Sequence, residues 1–171
     1  MRKALLVCAS VFSFAAACAQ HQPKITTVIL VRHAEKAGPK GDVPLSPAGV
    51  ARANELARVL ADADVKAIYT TPFLRTNQTV APVAAALSVK AFVVPTGKSY
   101  AEDVARMIER DHPGETVLVV GHSDTTVDVL KRLGIHDARP IADTEFDKLF
   151  ICTLSGGAAR LTTLRYGAVS R

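Results

Sequence analysis

Aromatic side chains are scarce in this sequence: it has no tryptophan, three tyrosines and six phenylalanines. Cysteines number only three, and beyond the N-terminal apolar segment only Cys152 and at most Cys18 are left. Two cysteines cannot form a disulfide framework, so stability must come from burial of apolar side chains. The net charge is +5, to which Arg2 and Lys3 contribute two. A mildly basic mature chain with few aromatics does not predict nucleic-acid binding.

The first residues have the order of features that is typical of a secretory signal. Arg2 and Lys3 precede an apolar segment over residues 4–17, and small residues follow it. The apolar segment is too short to span a bilayer as a helix. We therefore expect an exported protein with a signal over residues 1–19 and a single domain over residues 20–171.

Two cleavage sites compete at the end of this signal. Ala17-Cys18-Ala19 fits a small-x-small site before Gln20, whereas Ala15-Ala16-Ala17-Cys18 resembles a bacterial lipobox in which Cys18 carries lipid. A lipobox usually begins with a larger aliphatic residue than Ala15. Both alternatives stay open, so the expected location is the periplasm or, as a lipoprotein, the cell envelope. The only membrane contact expected is a lipid anchor at Cys18.

Two apolar, β-branched runs each end in a histidine. Residues 28–31 lead into Arg32 and His33, and residues 115–120 lead through a glycine into His122. Apolar runs without alternation are typical of strands that are covered on both faces. In an open parallel sheet, ligands bind beyond the carboxyl ends of the strands. The two histidines are therefore predicted to share one site at one edge of a sheet.

Strand and helix patterns alternate along the rest of the chain. Helices are predicted to begin at Ser46-Pro47, at Thr71-Pro72, at the capping box Ser99-Tyr100-Ala101-Glu102 and after His122. Further strands are predicted over residues 65–70, 91–94, 147–154 and 158–166. A hairpin at Ser155-Gly156-Gly157 is predicted to join the last two. This order predicts an α/β fold with three layers: a doubly wound, mainly parallel sheet with helices on both faces. The final pair of strands would add an antiparallel edge.

Two arginines and two histidines are expected to converge at the sheet edge. Arg32 and His33 follow the first strand, His122 follows another, and Arg75 is placed about one turn inside the helix after residues 65–70. Guanidinium groups match phosphate oxygens in bidentate geometry. A neutral imidazole can attack phosphorus while the other groups stabilise the developing charge. The set predicts phosphoryl transfer.

At this point the sequence resembles a known family, the histidine phosphatase superfamily, in its phosphoglycerate-mutase-like branch. The segments that carry the resemblance are Val31-Arg32-His33-Ala34-Glu35-Lys36, Leu45-Ser46-Pro47-Ala48-Gly49, Tyr69-Thr70-Thr71-Pro72-Phe73-Leu74-Arg75-Thr76-Asn77-Gln78-Thr79 and Val119-Val120-Gly121-His122-Ser123. The resemblance implies that His33 is the nucleophile and becomes phosphorylated. It implies that Arg32, Arg75 and His122 bind the phosphate, with no metal and no other cofactor.

The chain departs from the family pattern in two ways. Ala34 stands where the family usually has glycine, and we expect it to crowd the pocket slightly. The proton-donating acid is not evident: Glu102 is favoured as part of the capping box, and Glu35 and Asp124 are the alternatives. A weak or absent donor would favour substrates with good leaving groups, such as acyl phosphates or phosphohistidines. Residues 95–99 are too short for a long lid, which favours hydrolysis over mutase chemistry.

Two other functions use the same residues. Residues 121–125 are close to the Gly-x-Ser-x-Gly elbow of α/β hydrolases, which would make Ser123 the nucleophile of an esterase; Thr125 replaces the second glycine, and His136 is too near in sequence to complete a triad. A non-catalytic protein that binds a phosphate ligand would keep the arginines without needing His33. A zinc site would lack a third ligand. The expected partner is a phosphorylated small molecule or a phosphoprotein.

Overall fold

The computed structural model describes residues 24–170, so the predicted signal, both cleavage sites and Cys18 lie outside the described residues. The elements within this range are, in chain order, β1 (Thr26–Arg32), α1 (Pro47–Val59), β2 (Val65–Thr70), α2 (Leu74–Leu87), β3 (Ala91–Val93), α3 (Tyr100–Asp111), β4 (Thr116–Gly121), α4 (Ser123–Arg132), β5 (Lys148–Ser155) and β6 (Ala158–Arg165). None of these helices is long and apolar enough to cross a bilayer.

The six strands form one mixed sheet in the order β3-β2-β4-β1-β5-β6. The first four strands of the chain pair in parallel, whereas β5 runs antiparallel to β1 and β6 antiparallel to β5. The predicted α/β fold is confirmed, and so is the antiparallel pair at one edge. The turn between β5 and β6 contains Gly156 and Gly157, both at positive φ, which a hairpin loop favours.

Helices cover both faces of the sheet. On one face, Ile29 and Val31 of β1 pack in an apolar cluster with Leu56 of α1 and Val83 of α2. On the other face, neighbouring residues of β1 pack in a second cluster, which contains residues of α3 and α4, among them Ile108 and Leu130. Both faces of β1 are therefore buried, which explains its unbroken apolar run.

The strand register brings three carboxyl ends together. Arg32 at the end of β1 lies opposite Gly121 at the end of β4, and the amide of His33 donates to the Gly121 carbonyl at 2.9 Å. On the other side of β4, Thr70 of β2 lies opposite Val120. The residues that follow β1, β2 and β4 must therefore emerge next to one another.

Three predicted helix starts, at Ser46, at Ser99 and after His122, are confirmed, and the one at Thr71-Pro72 is wrong. Ser46 is the N-cap of α1, and its hydroxyl accepts from the Gly49 amide at 3.1 Å. Helix α2 starts at Leu74 rather than at Thr71-Pro72, because the Thr71 hydroxyl is used by another threonine and by a histidine of the site.

The capping box predicted at Ser99 is absent. Ser99 itself has helical dihedral angles (φ −91°, ψ −5°), and its side chain makes no capping hydrogen bond. An N-cap residue normally has extended geometry, which aims its side chain at the free amides of the first turn. The Glu102 carboxylate instead pairs with Arg106 and Arg132 on the outer surface of the helix layer.

A close approach of main chains at Gly49 gives a test of this fold. A Cβ atom on Gly49 would overlap the carbonyl of Glu35, whereas a Cβ atom on Gly97 would meet no atom within 4 Å. We expect Gly49→Ala to lower the free energy of unfolding by about 3 kcal/mol, the upper end of overpacking costs, because the obstacle is main chain. Gly97→Ala is the matched control, with an expected change within about 0.5 kcal/mol. Urea unfolding measures both, and equal effects would contradict the packing.

Candidate active site

A cavity of about 410 Å³ opens at the carboxyl ends of β1, β2 and β4. We call it the histidine pocket, and its lining residues are Arg32, His33, Lys36, Phe73, Arg75, Thr96, His122, Ser123, Asp124, Thr125 and Asp143. All four side chains that the sequence was expected to bring together, two arginines and two histidines, are among them. The centroids of the two imidazole rings lie 5.3 Å apart.

His33 is buried in the wall of the histidine pocket, with 3% of its surface exposed. Its Nδ1 lies 2.8 Å from the Ala34 carbonyl. A carbonyl oxygen can only accept, so Nδ1 carries the hydrogen and Nε2 keeps a free lone pair. Burial lowers the pKa of His33 to about 3, and the charge of Arg32 acts in the same direction, against the effect of the Ala34 carbonyl. The ring is therefore neutral at physiological pH and can act as a nucleophile.

The Ala34 side chain does not crowd the histidine pocket, contrary to expectation. It is fully buried in a small cluster with Leu45 and Ala53, away from the cavity. The Ala34 amide donates to the Thr79 hydroxyl at 3.0 Å, while its carbonyl accepts from His33. The methyl group of Ala34 therefore supports the main chain that orients the imidazole.

Arg32 is held in place by residues 142–146, for which no role was predicted. Its Nη1 donates to the carbonyls of Ala142 at 2.8 Å and Glu145 at 3.3 Å, and its guanidinium lies 4.3 Å from the ring centroid of Phe146. The Asp143 carboxylate lies 3.7 Å from Nη2. This segment between α4 and β5 has neither helical nor strand periodicity, so no pattern in the sequence pointed to it.

Arg75 reaches the histidine pocket from the first turn of α2, one residue after the helix begins rather than one turn inside it. Its guanidinium lies 4.4 Å from the centroid of the Phe73 ring, and Nη2 lies 3.4 Å from Nδ1 of His122. Nη1 is 3.8 Å from the Asp42 carboxylate. A ring and a carboxylate thus hold the guanidinium at the cavity.

His122 is the N-cap residue of α4, with its ring in the cavity. Its main-chain amide donates to the Thr125 hydroxyl at 2.8 Å, and its Nε2 lies 3.1 Å from the Thr71 hydroxyl. Burial lowers the pKa of His122 to about 4, and the neighbouring charge of Arg75 lowers it as well. The second imidazole is therefore also neutral before any anion binds.

The three predicted acid candidates lie in different places. Asp124 lines the histidine pocket, whereas Glu35 and Glu102 do not. The Glu35 carboxylate accepts from Arg52 at 2.7 Å. Burial acts to raise the pKa of Glu35, but the hydrogen bonds from Arg52 outweigh it and leave this pKa lowered. Asp143 also lines the pocket and was not on the predicted list.

Ser123 lines the pocket but has no base beside it. Both ring nitrogens of His122 already face other groups, the Thr71 hydroxyl and the Arg75 guanidinium. His136 is exposed and is not part of the pocket wall. This arrangement does not support an esterase triad. Within residues 24–170, no group of three or more His, Cys, Asp or Glu side chains is arranged to hold a metal ion.

Comparisons with known proteins agree with this geometry. Residues 28–96 match the model of the Histidine phosphatase superfamily (branch 1), a stretch that contains Arg32, His33 and Arg75 but ends before His122. A comparison with curated protein sequences found no match.

Solved structures share the fold at low sequence identity. The SixA protein of Agrobacterium tumefaciens is 22% identical, with a TM-score of 0.61, and the match covers 83% of this chain and 97% of that one. The protein histidine phosphatase SixA complexed with tungstate is 21% identical (TM-score 0.64, 81% and 96% covered). A mycobacterial glucosyl-3-phosphoglycerate phosphatase is 13% identical (TM-score 0.64, 85% and 100% covered). At these identities the likeness establishes the fold.

The two low histidine pKa values predict how stability depends on pH. Both folded-state values, about 3 and about 4, lie below the unfolded value of about 6.5. As pH falls below about 6.5, these two histidines become protonated in the unfolded chain but stay neutral in the folded one. The free energy of unfolding therefore decreases by up to about 1.4 kcal/mol per pH unit for each histidine. Urea unfolding at pH 7 and pH 5 should show the decrease, and His33→Asn should make it shallower. Identical slopes in both proteins would contradict a buried neutral His33.

Proposed function

We propose that the chain, whose residues 28–96 match the model of the histidine phosphatase superfamily, is a phosphatase that hydrolyses its substrate through a phosphohistidine intermediate on His33. One observation carries the proposal. Two guanidinium groups and two neutral imidazoles, brought from three strand ends, line a single open cavity. Guanidinium groups stay charged at any relevant pH and match phosphate oxygens, which makes this cavity suited to a phosphoryl group.

The first half of the reaction uses the free lone pair of His33. Arg32 and Arg75 bind the non-bridging phosphoryl oxygens, and Nε2 of His33 attacks phosphorus in line with the leaving group. The Nε2–P bond forms as the bond from phosphorus to the leaving group breaks. The hydrogen bond from Nδ1 to the Ala34 carbonyl helps to stabilise the positive charge that develops on the ring.

In the second half of the reaction the oxygen of a water molecule attacks the phosphorus atom of the phosphohistidine and forms an O–P bond. The P–Nε2 bond breaks, its electron pair returns to the imidazole, and inorganic phosphate leaves after the water has lost a proton. Arg32, Arg75 and His122 face the same oxygens in both steps. The guanidinium charges are available without a metal ion, so metal-independent turnover is part of this proposal.

The surroundings of the site favour substrates with good leaving groups. Neither Glu35 nor Glu102 lies in the histidine pocket, and the two carboxylates that line it, Asp124 and Asp143, are exposed to solvent. The Asp143 carboxylate also lies 3.7 Å from Arg32. Acyl phosphates and phosphohistidines need the least help from an acid, and the SixA neighbours include a protein histidine phosphatase.

Hydrolysis rather than phosphoryl transfer to a second substrate is part of the proposal. Between β3 and α3 the chain has only residues 94–99, too few for a long lid that would exclude water. The predicted secretory signal adds an expected site of action outside the cytoplasm, in the periplasm or at the cell envelope. A phosphorylated small molecule and a phosphoprotein both remain suitable partners.

Replacing the nucleophile tests the proposed function. We expect His33→Ala to lose turnover by at least about 10³-fold, because no covalent intermediate can form, while it still binds vanadate through the two arginines. Phosphate release from acetyl phosphate measures turnover, and a competition assay measures vanadate binding. His136→Ala is the control, since it replaces an exposed histidine outside the pocket.

Full activity in His33→Ala would contradict the mechanism. Vanadate binding without any turnover, in the wild type as in His33→Ala, would favour a protein that only binds phosphate ligands. Ser123→Ala separates the esterase in the same preparation: the phosphatase retains phosphate release in this variant, whereas an esterase would lose all ester cleavage.

The pH–rate profile tests the origin of the leaving-group proton. We expect Glu35→Gln and Glu102→Gln to keep the wild-type acid limb, because neither carboxylate reaches the histidine pocket. Asp124→Asn and Asp143→Asn are the informative variants. If either is the donor, hydrolysis of an alkyl phosphate should fall at least about tenfold more than hydrolysis of acetyl phosphate. An acid limb removed by Glu35→Gln or Glu102→Gln alone would contradict the assignment.

A further inference from the structure

Behind His122, on the side away from the cavity, lie two buried threonines. Thr71 directly follows β2, and Thr76 lies in the first turn of α2; both are fully buried. The Thr71 hydroxyl lies 3.1 Å from Nε2 of His122 and 2.8 Å from the Thr76 hydroxyl. The His122 ring, the Thr71 hydroxyl and the Thr76 hydroxyl are therefore linked by a continuous series of hydrogen bonds, which ends on main-chain carbonyls.

The direction of this series of hydrogen bonds follows from its inner end. The Thr76 hydroxyl lies 3.0 Å from the Thr71 carbonyl and 2.9 Å from the Phe73 carbonyl. Carbonyl oxygens only accept, so the single hydroxyl hydrogen of Thr76 points toward them. The Thr71 hydroxyl must then donate to Thr76, which leaves its own oxygen to accept from Nε2 of His122.

The contact at the other end of this series of hydrogen bonds, between His122 and Arg75, independently indicates the same donor and acceptor assignment. Nη2 of Arg75 lies 3.4 Å from Nδ1 of His122, and a guanidinium can only donate. Nδ1 therefore accepts, and in a neutral ring the hydrogen lies on Nε2. The pKa of about 4 for His122 agrees with a neutral ring. Two fixed ends, a guanidinium and a pair of carbonyls, thus select one tautomer.

We infer that Thr71 and Thr76 are positioning residues that hold His122 as the Nε2–H tautomer, with Nδ1 facing the phosphoryl group. An arriving phosphoryl dianion draws Arg75 to its oxygens and favours protonation of the free Nδ1 by solvent. The ring then has a hydrogen on each nitrogen: Nε2–H stays on Thr71, and Nδ1–H donates to a phosphoryl oxygen. Without this series of hydrogen bonds, the opposite tautomer and other ring orientations become accessible, and this donor is lost.

The inference deepens the proposed phosphatase function and rests on it for its kinetic consequence, but the tautomer can be measured without any turnover. Nitrogen-15 NMR of the full chain distinguishes a protonated from an unprotonated ring nitrogen. We expect wild-type His122 to show a hydrogen on Nε2 and none on Nδ1 at pH 7. Thr71→Val keeps the shape of the side chain and removes the hydroxyl, so it should mix the tautomers.

The kinetic expectation is specific to the hydroxyl. Thr71→Val should lower kcat/KM by about 10- to 100-fold, by analogy with the loss of the hydrogen-bond partner of a metal-bound histidine, and Thr71→Ser should restore it to within about threefold. Thr70→Val is the matched control: Thr70 precedes Thr71, is fully buried, and has no hydrogen-bond partner for its hydroxyl. This control should leave both the tautomer and the rate unchanged.

Each outcome decides the matter. A changed tautomer and a lower rate in Thr71→Val, both restored in Thr71→Ser, support the inference. An unchanged tautomer in Thr71→Val, or an equal loss of rate in Thr70→Val, overturns it. If Thr71→Val does not fold, Thr76→Val is measured in the same way. A wild-type protein without activity on any phosphorylated compound would refute the proposed function, while the NMR result would still test the tautomer.

Discussion

The parallel pairing of β1 with β4 is the constraint on which the site depends. With Arg32 opposite Gly121 and the His33 amide bonded to the Gly121 carbonyl, the residues that follow the two strands have to lie side by side. A shift of one residue along either strand would exchange the buried faces of that strand and separate the two imidazoles. The unbroken apolar sequence of β1, buried against helices on both faces, stabilises this register.

Burial has opposite consequences for the charges of the site. It favours the neutral forms of His33 and His122, whereas Arg32 is charged at any relevant pH and must be stabilised by groups around it. The protein supplies two main-chain carbonyls and an aromatic ring to Arg32. The result is a cavity in which charged guanidinium groups can attract an anion, while the buried imidazoles stay uncharged and keep a free lone pair.

Periodic patterns in the sequence predicted the strands and helices, but they did not predict the role of the irregular segments between them. The strands, the helix start at Ser46 and the convergence of four side chains follow from apolar periodicity and from the rule that strand ends share an edge. The start of α2 and the capping box at Ser99 were wrong, because tertiary hydrogen bonds and helical dihedral angles overrode local preference. The residues around Phe146 that hold Arg32 had no periodic signal at all, and their role depends on contacts made across the whole chain.

The contacts of Arg52 have a consequence for synthesis of the protein. Arg52 joins the Glu35 carboxylate, two residues after His33, to the carbonyls of Tyr166 and Ala168. Both neighbours of β1 in the sheet, β4 and β5, are also made long after β1 itself. During translation His33 therefore leaves the ribosome early, but its surroundings are completed only when residues 166–168 emerge. A nascent chain carries His33 without the site that gives it a function.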